Sequence, residues 1–410
     1  MKIHHAAAGI TADLTDPETW ASPYAMFAAL HQADGLATIQ YPVIGKCWLL
    51  TGYDDVVQSL RDTNLFKNDP RNAGAKDPQD RWWTPKLMRA FNRTMIGADD
   101  LDHKRLRGLA NKAFTPSRVR QLHEQIAAIT HQLLDEIPLG EPVDLIEKLA
   151  LPLPLRVIAE LLGVEEDERS AFHSTLQGTL ALSSPLTMLT RIPRFFRLHR
   201  FFEGLLERKR AEPQDDLISA LVAAEEEGDK LTAEELMGTV FLLLFAGHET
   251  TVNLIGNGTL ALLEHPEQWA RLQADHSLVQ PAIEEMLRFY SPAIQTAPRY
   301  IAEDCTLRGT EVKRGDRVIP LVSAANRDPQ AFDDPDAFDI GRSPNKHLAF
   351  GGGPHFCIGA HLSRLEGRIA FQAVLDHFDT MALAVDRSAV KWRENTPGLR
   401  GLQTLPVVFH

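Results

Sequence analysis

The stretch from Ala233 to Leu263 carries apolar residues at three-and-four spacing along its whole length, and so reads as one long helix that a core must enclose. The same period recurs in Ser117 to Ile137, Leu145 to Leu162, Arg200 to Lys209, Leu217 to Glu227 and Ala282 to Phe289. Strand-like runs are few: Thr38 to Leu50, Ala297 to Leu307 with a continuation at Asp316 to Leu321, and Thr404 to Phe409. The expected fold is therefore mainly α with a minor β portion drawn from both ends of the chain. Strands so far apart in sequence argue for one interleaved domain over 1–410. No internal repeat or low-complexity linker divides it.

The middle of the long helix is unusual. Ala246 and Gly247 remove side-chain bulk, while Glu249 and Thr250 put an acid and a hydroxyl into apolar surroundings. Small residues permit close approach of a ligand, and a threonine bonding back to a carbonyl can open a helix locally. His248, between them, reads as a packing or helix-to-helix contact.

A second unusual segment is Phe350-Gly351-Gly352-Gly353-Pro354-His355-Phe356-Cys357-Ile358-Gly359, a cysteine inside a glycine-rich loop just before another helical run. Glycines let the backbone turn tightly and approach a flat macrocycle. Backbone N–H groups near the following helix N-terminus favour a thiolate, and a cysteine thiolate is a known haem-iron ligand.

This loop resembles the haem loop of the cytochrome P450 family, F-x-x-G-x-[RH]-x-C-x-G, at Phe350, Gly353, His355, Cys357 and Gly359. The helix centre is similar to that family's [AG]-G-x-[DE]-T pattern at Ala246, Gly247, Glu249 and Thr250. The resemblance covers nearly the whole chain. It implies the mainly helical P450 fold, haem b as cofactor with Cys357 as axial ligand, a macrocycle lying against Phe350, Gly351 and Gly359, and an acid–alcohol pair delivering protons during oxygen activation. It further implies that His103 and Arg107, four apart on one helical face, together with Arg299 and His355, neutralise the haem propionates. Pro298 before Arg299 departs from the usual pattern. Glu285, Arg288 and Arg342 fit a structural ion network in that family.

Composition excludes other classes. Three cysteines at distant positions, Cys47, Cys305 and Cys357, speak against a disulfide framework or a cysteine-rich zinc site. A net charge of −12 with no basic domain argues against nucleic acid as a partner. The first residues lack a long apolar h-region and no run reads as a membrane span, so a soluble cytoplasmic protein is expected. No nucleotide-binding or iron–sulfur signature accompanies the motifs, so electrons are expected from a separate ferredoxin or flavodoxin with its NAD(P)H-dependent reductase. Lys104, Arg105, Lys112 and Arg364 are candidates for a surface attractive to an acidic carrier.

The expected activity is that of a haem-thiolate monooxygenase, using O2 to hydroxylate or epoxidise a hydrophobic small molecule such as a polyketide or macrolide, terpenoid, steroid or fatty acid. Candidate pocket segments are Trp82 to Ile96, Leu176 to Ile192, Leu243, Ala246 and Ile294 to Ala297. A peroxide-driven enzyme of the same fold, or a non-enzymatic haem-based ligand-binding protein, remain as alternatives. The basic-aromatic cluster Arg191, Arg194, Arg197, Arg200 with Phe195, Phe196, Phe201 and Phe202 reads as a solvated helix face with its apolar side packed.

Overall fold

The structure, a computed structural model, describes residues 3–6, 9–12, 19, 22–33, 35–41, 45–77, 94–113, 116–169, 172, 185–224, 232–394 and 398–410. The chain divides into two compact units, each built from separated stretches. One comprises Met1–Lys104, Glu264–Cys357 and Gly398–Arg400; the other comprises Arg105–Leu263, Ile358–Pro397 and Gly401–His410.

The first unit contains a seven-stranded sheet. Strands β1 (Ile3–Ala6) and β2 (Gly9–Ala12) pair with each other, and β2 joins β3 (Ala37–Tyr41), which forms a hairpin with β4 (Gly45–Leu50). On the far side come β5 (Phe66–Lys67) and β6 (Arg299–Ile301), paired to one another. A hairpin of β7 (Cys305–Leu307) and β8 (Thr310–Val312) stands apart from the sheet. The strand β9 (Arg317–Pro320) closes the sheet by running parallel to β4 and antiparallel to β6.

Alternation along the strands loads both faces of this sheet. Cys47 and Leu49 of β4 with Ile319 of β9 pack on Met26, Phe27 and Leu30 from α1 (Tyr24–Gln32). Trp48, Leu50 and Val318 pack on Val56 and Leu60 from α2 (Tyr53–Arg61). Helix α2 opens with Asp54 and Asp55 in its first turn and ends on Arg61, a charge order that suits its dipole.

The second unit is mostly helical. The helix α3 (Asp100–Ala113) runs into it from the first unit, and α4 (Pro116–Asp135) packs on α5 (Pro152–Leu162). A long helix α6 (Pro185–Ala211), with Pro193 inside it, packs on α7 (Leu217–Ala224). The longest element is α8 (Ala233–Glu264), begun by a reciprocal cap in which Thr232 Oγ1 accepts from Glu235 N and Glu235 Oε2 accepts from Thr232 N. Finally α9 (Ala360–His377) packs on α4, and the short strands Met381–Leu383, Pro406–Phe409 and Val143–Asp144 form a separate sheet.

The chain is mainly α with a minor β portion, as expected, but four details depart from the sequence reading. The C-terminal strand belongs to the small sheet of the second unit and does not join the seven-stranded one. The run Ala297 to Leu307 is two strands, because exposed Glu303 and Asp304 turn outward and Asp304 accepts the backbone N–H of Arg314 at 2.9 Å. Leu145 to Leu162 begins as a π-helical turn at Ile146–Ala150, since Pro152 lacks an N–H and Leu151 N bonds back to Ile146 O at 2.9 Å. The helix expected at Arg200 to Lys209 starts much earlier, at Pro185. The end of Leu217 to Glu227 beyond Ala224 lies outside the described residues.

Among the described residues one helix, α8, is long and apolar enough to cross a membrane, and most of it is buried within the protein. In α6, Phe202 packs against Phe172 and Phe241, while Phe196, Arg197 and Arg200 are exposed. The side chains of Arg191, Arg194 and Phe195 lie outside the described residues.

Candidate functional site

In the first unit, the glycine loop hangs on the end of α2. Gly353 has φ +62°, a left-handed conformation, and a Cβ there would collide with the backbone carbonyl of Leu60. Leu348 N donates to Asn326 Oδ1 at 2.7 Å, Gly351 N to Leu348 O at 2.8 Å, and Cys357 N to Phe350 O at 2.9 Å. These bonds close the loop and leave the Cys357 side chain exposed.

The other cysteines are poor ligands by comparison. Burial pushes the thiol of Cys47 up in pKa despite Arg317 nearby, and burial with Glu303, Asp304 and Asp316 does the same to Cys305. Both shifts disfavour the thiolate that a metal ion binds.

Beside the loop lies a polar cluster centred on an asparagine. Asn68 follows β5, and its Nδ2 donates to His355 Nε2 at 2.7 Å and to Asp99 Oδ1 at 3.0 Å, while its Oδ1 accepts from Arg299 Nη1. Asp99 also takes the backbone N–H groups of Asn68 at 2.8 Å and Asp69 at 3.0 Å, and Asn72 Nδ2 at 2.9 Å. Burial opposes ionisation of Asp99, but these bonds outweigh it and hold the carboxyl below its usual range. The rings of His103 and His355 lie 4.0 Å apart, centroid to centroid.

Sequence reading named His103, Arg299 and His355 separately, and the structure brings them to one place. It missed Asn68 and Asp99, which hold them there. Their only sequence signal is a run of short polar residues at each position, Asn68-Asp69 and Asp99-Asp100, next to recognised elements.

In the second unit, the centre of α8 is an accessible window in a buried helix. Ala246 is exposed and Gly247, Glu249 and Thr250 are half-buried, whereas Thr251 through Leu262 are buried. Thr250 Oγ1 donates to Ala246 O at 2.7 Å and Thr251 Oγ1 to Gly247 O at 3.1 Å, so both hydroxyls bond back along the helix. Glu249 Oε1 meets Arg393 Nη1 at 3.1 Å. Burial raises the Glu249 pKa and Arg393 partly offsets this. His248 is buried, on the packed side of the helix. Arg107 of α3 is half-buried in this same unit, and Gly359 begins α9, its carbonyl accepting from Ser363 N at 2.9 Å.

These residues fit a haem. Cys357 presents an accessible sulfur on a glycine loop. Arg299 is buried, its Nε has no hydrogen-bond partner among the described residues, and its Nη1 rests on a neutral amide. Burial brings its pKa down to about 10, with Asp99 opposing. A buried cation held this way suits an added anion such as a propionate.

The structural ion network is complete within the first unit. Glu285 takes Arg288 Nε and Nη2 at 2.8 Å each, Arg342 Nε at 3.2 Å, Asn345 Nδ2 at 3.0 Å and the backbone N–H of Asp339 at 2.9 Å. Arg288 spends its remaining donors on the carbonyls of Asn326, Pro335 and Ala337.

Other sequence candidates fare unevenly. Leu243 and Ile294 are buried, and Gln295, Thr296 and Ala297 are half-buried. Most of Trp82 to Ile96 and of Leu176 to Ile192 lies outside the described residues or carries undescribed side chains, as does Lys112. Lys104 is exposed and Arg364 half-buried, but Arg105 is tied to Glu235 at 2.6 Å.

The chain is similar to known proteins along most of its length. The family model described as Cytochrome P450 matches residues 43–387. Vitamin D(3) 25-hydroxylase of Pseudonocardia autotrophica is 41% identical over 398 residues, 97% of this chain and 96% of that protein. The polyketide biosynthesis cytochrome P450 PksS of Bacillus subtilis (strain 168) is 41% identical over 361 residues, 88% of each. The crystal structure of myxobacterial cytochrome P450 CYP267B1 in complex with myristic acid is similar with a TM-score of 0.88 and 40% identity, covering 97% of this chain and 98% of that one.

Proposed function

The chain belongs to the cytochrome P450 family, and from that premise we propose how its residues divide the work of a haem b monooxygenase. The observation that carries the reading is the exposed Cys357, where Cys47 is buried and Cys305 half-buried, on a loop that Gly353 and Leu60 hold in shape. Cys357 would hold the iron as a thiolate, and Phe350, Gly351 and Gly359 would lie against the macrocycle. Arg299, His103, His355 and Arg107 would neutralise the propionates.

When bound, haem b supplies the activation of dioxygen. The chain supplies space and protons. Ala246 and Gly247 leave room beside α8, and Glu249 and Thr250 pass protons inward as a general-acid relay. One oxygen atom enters a C–H or C=C bond of the substrate, and the other leaves as water with two electrons and two protons.

The substrate is a hydrophobic small molecule with a long apolar skeleton. Its relatives are named for polyketide biosynthesis and for vitamin D(3), and one holds myristic acid. A ferredoxin or flavodoxin and its NAD(P)H-dependent reductase deliver the electrons in the cytoplasm.

The test is turnover of myristic acid and vitamin D(3) under isotopically labelled dioxygen, with NADPH, ferredoxin and ferredoxin reductase. A product carrying one labelled oxygen atom supports the reading. Equal turnover with hydrogen peroxide alone would point to a peroxygenase, and no product with any donor would point to a ligand-binding role.

A further inference from the structure

The acid of the relay is not free on its helix. Arg393, from the segment after α9, places Nη1 3.1 Å from Glu249 Oε1 and donates through Nη2 to Asn253 Oδ1. Glu249 and Asn253 are four apart and share one face of α8, so a single guanidinium spans both. Asn253 is buried, the Glu249 side chain is 14% exposed and that of Arg393 is 30% exposed.

The backbone of this segment is fixed for the purpose. Arg393 N donates to Gly401 O at 2.8 Å, Gln403 N to Lys391 O at 2.9 Å, and Trp392 bridges Leu402. Any Cβ on Gly401 would collide with Asn253 Oδ1 and with the Arg393 guanidinium, so this packing requires glycine.

We propose that Arg393 is a positioning residue for the proton relay: its guanidinium holds the Glu249 carboxylate as an anion, releases it as the carboxylate takes up a proton, and recaptures it once that proton has passed to Thr250. The inference rests on the assignment of Glu249 to the relay. In one cycle Glu249 takes a solvent proton and gives it to the Thr250 hydroxyl as that hydroxyl passes its own proton inward, to be consumed in the water that the reaction forms. Both side chains end as they began.

The sign of the effect follows from burial and charge. Burial favours the neutral acid and Arg393 opposes it; among the described residues Arg393 is the charged group that faces Glu249. Removing the guanidinium leaves Glu249 protonated to higher pH. A step that needs the protonated acid then persists to higher pH as well.

Infrared difference spectra over a pH series read this directly and need no substrate. The carboxylic-acid band that Glu249→Gln removes should persist to higher pH in Arg393→Met than in the wild type, and Arg393→Lys should restore the wild-type position. NADPH-driven oxygen uptake through ferredoxin and its reductase, at equal haem content, should show its falling limb displaced in the same direction.

A band that titrates identically in wild type and Arg393→Met would overturn the proposal, as would a shifted band with an unshifted uptake profile. If Glu249→Gln itself leaves uptake unchanged, where a loss of about 10²-fold is expected, the relay assignment falls, and the role of Arg393 in it falls too. Gly401→Ala keeps every charge but displaces the guanidinium, and should reproduce the Arg393→Met shift if Arg393→Met folds poorly.

Discussion

Arg288 grips Glu285 with two parallel hydrogen bonds, Nε to Oε2 and Nη2 to Oε1, each 2.8 Å long, and both side chains are wholly buried. One turn of helix Val279–Phe289 separates them, but the pair also gathers Arg342, Asn345 and three backbone carbonyls from distant loops. One of the gathered segments, carrying Arg342 and Asn345, leads in sequence into the Cys357 loop.

Glu285→Ala should therefore strand two buried or half-buried guanidiniums and cost about 3–5 kcal/mol. Denaturant unfolding measures it. Arg288→Lys should not rescue the network, because an ammonium cannot match the fork geometry of the carboxylate. Equal stability of wild type and Glu285→Ala would remove the network from the account.

Asp99 predicts an acid-sensitive clamp. Its folded-state pKa is lowered, so the stability it contributes is present above the ordinary value of 3.8 and fades as pH falls through the lower folded value. Asp99→Asn should weaken haem retention at neutral pH, because Asn68 then loses its anchor for Arg299 and His355. It should also flatten the acid limb of the wild-type stability curve. Haem transfer to an excess of apomyoglobin, followed over a pH series, reports the first effect, and denaturant unfolding over the same series reports the second.

Gly353→Ala tests how the loop is held. A left-handed alanine costs about 1–2 kcal/mol before the collision with Leu60 is counted. The variant should bind less haem at equal protein, measured by pyridine haemochrome against total protein. Gly351→Ala is the contrast: φ is also positive, +69°, but nothing lies within 4 Å of the added Cβ, so its loss should be smaller.

Much of this was legible in the sequence because it is local. The period of α8, the four-residue spacing of His103 and Arg107, and the cysteine among glycines are all patterns within one element. Glu285 and Arg288 are likewise three apart. What escaped reading depends on contacts between remote segments. Asn68 meets Arg299 across 231 residues, and Arg393 meets Asn253 across 140, and no spacing rule reaches so far. The break in the Ala297 to Leu307 run was hidden for a different reason. Apolar residues resume at Cys305 and Leu307 after the exposed pair Glu303 and Asp304, and the bond from Arg314 N to Asp304 shows that the chain turns there.

The central claim is thiolate ligation by Cys357, and the most direct measurement is the Soret band of the reduced, carbon-monoxide-bound protein for wild type, Cys357→Ala and Cys305→Ala. The account predicts a strongly red-shifted band in wild type and Cys305→Ala that is absent in Cys357→Ala. A red-shifted band that survives Cys357→Ala, or a histidine-like band in the wild type, would contradict it.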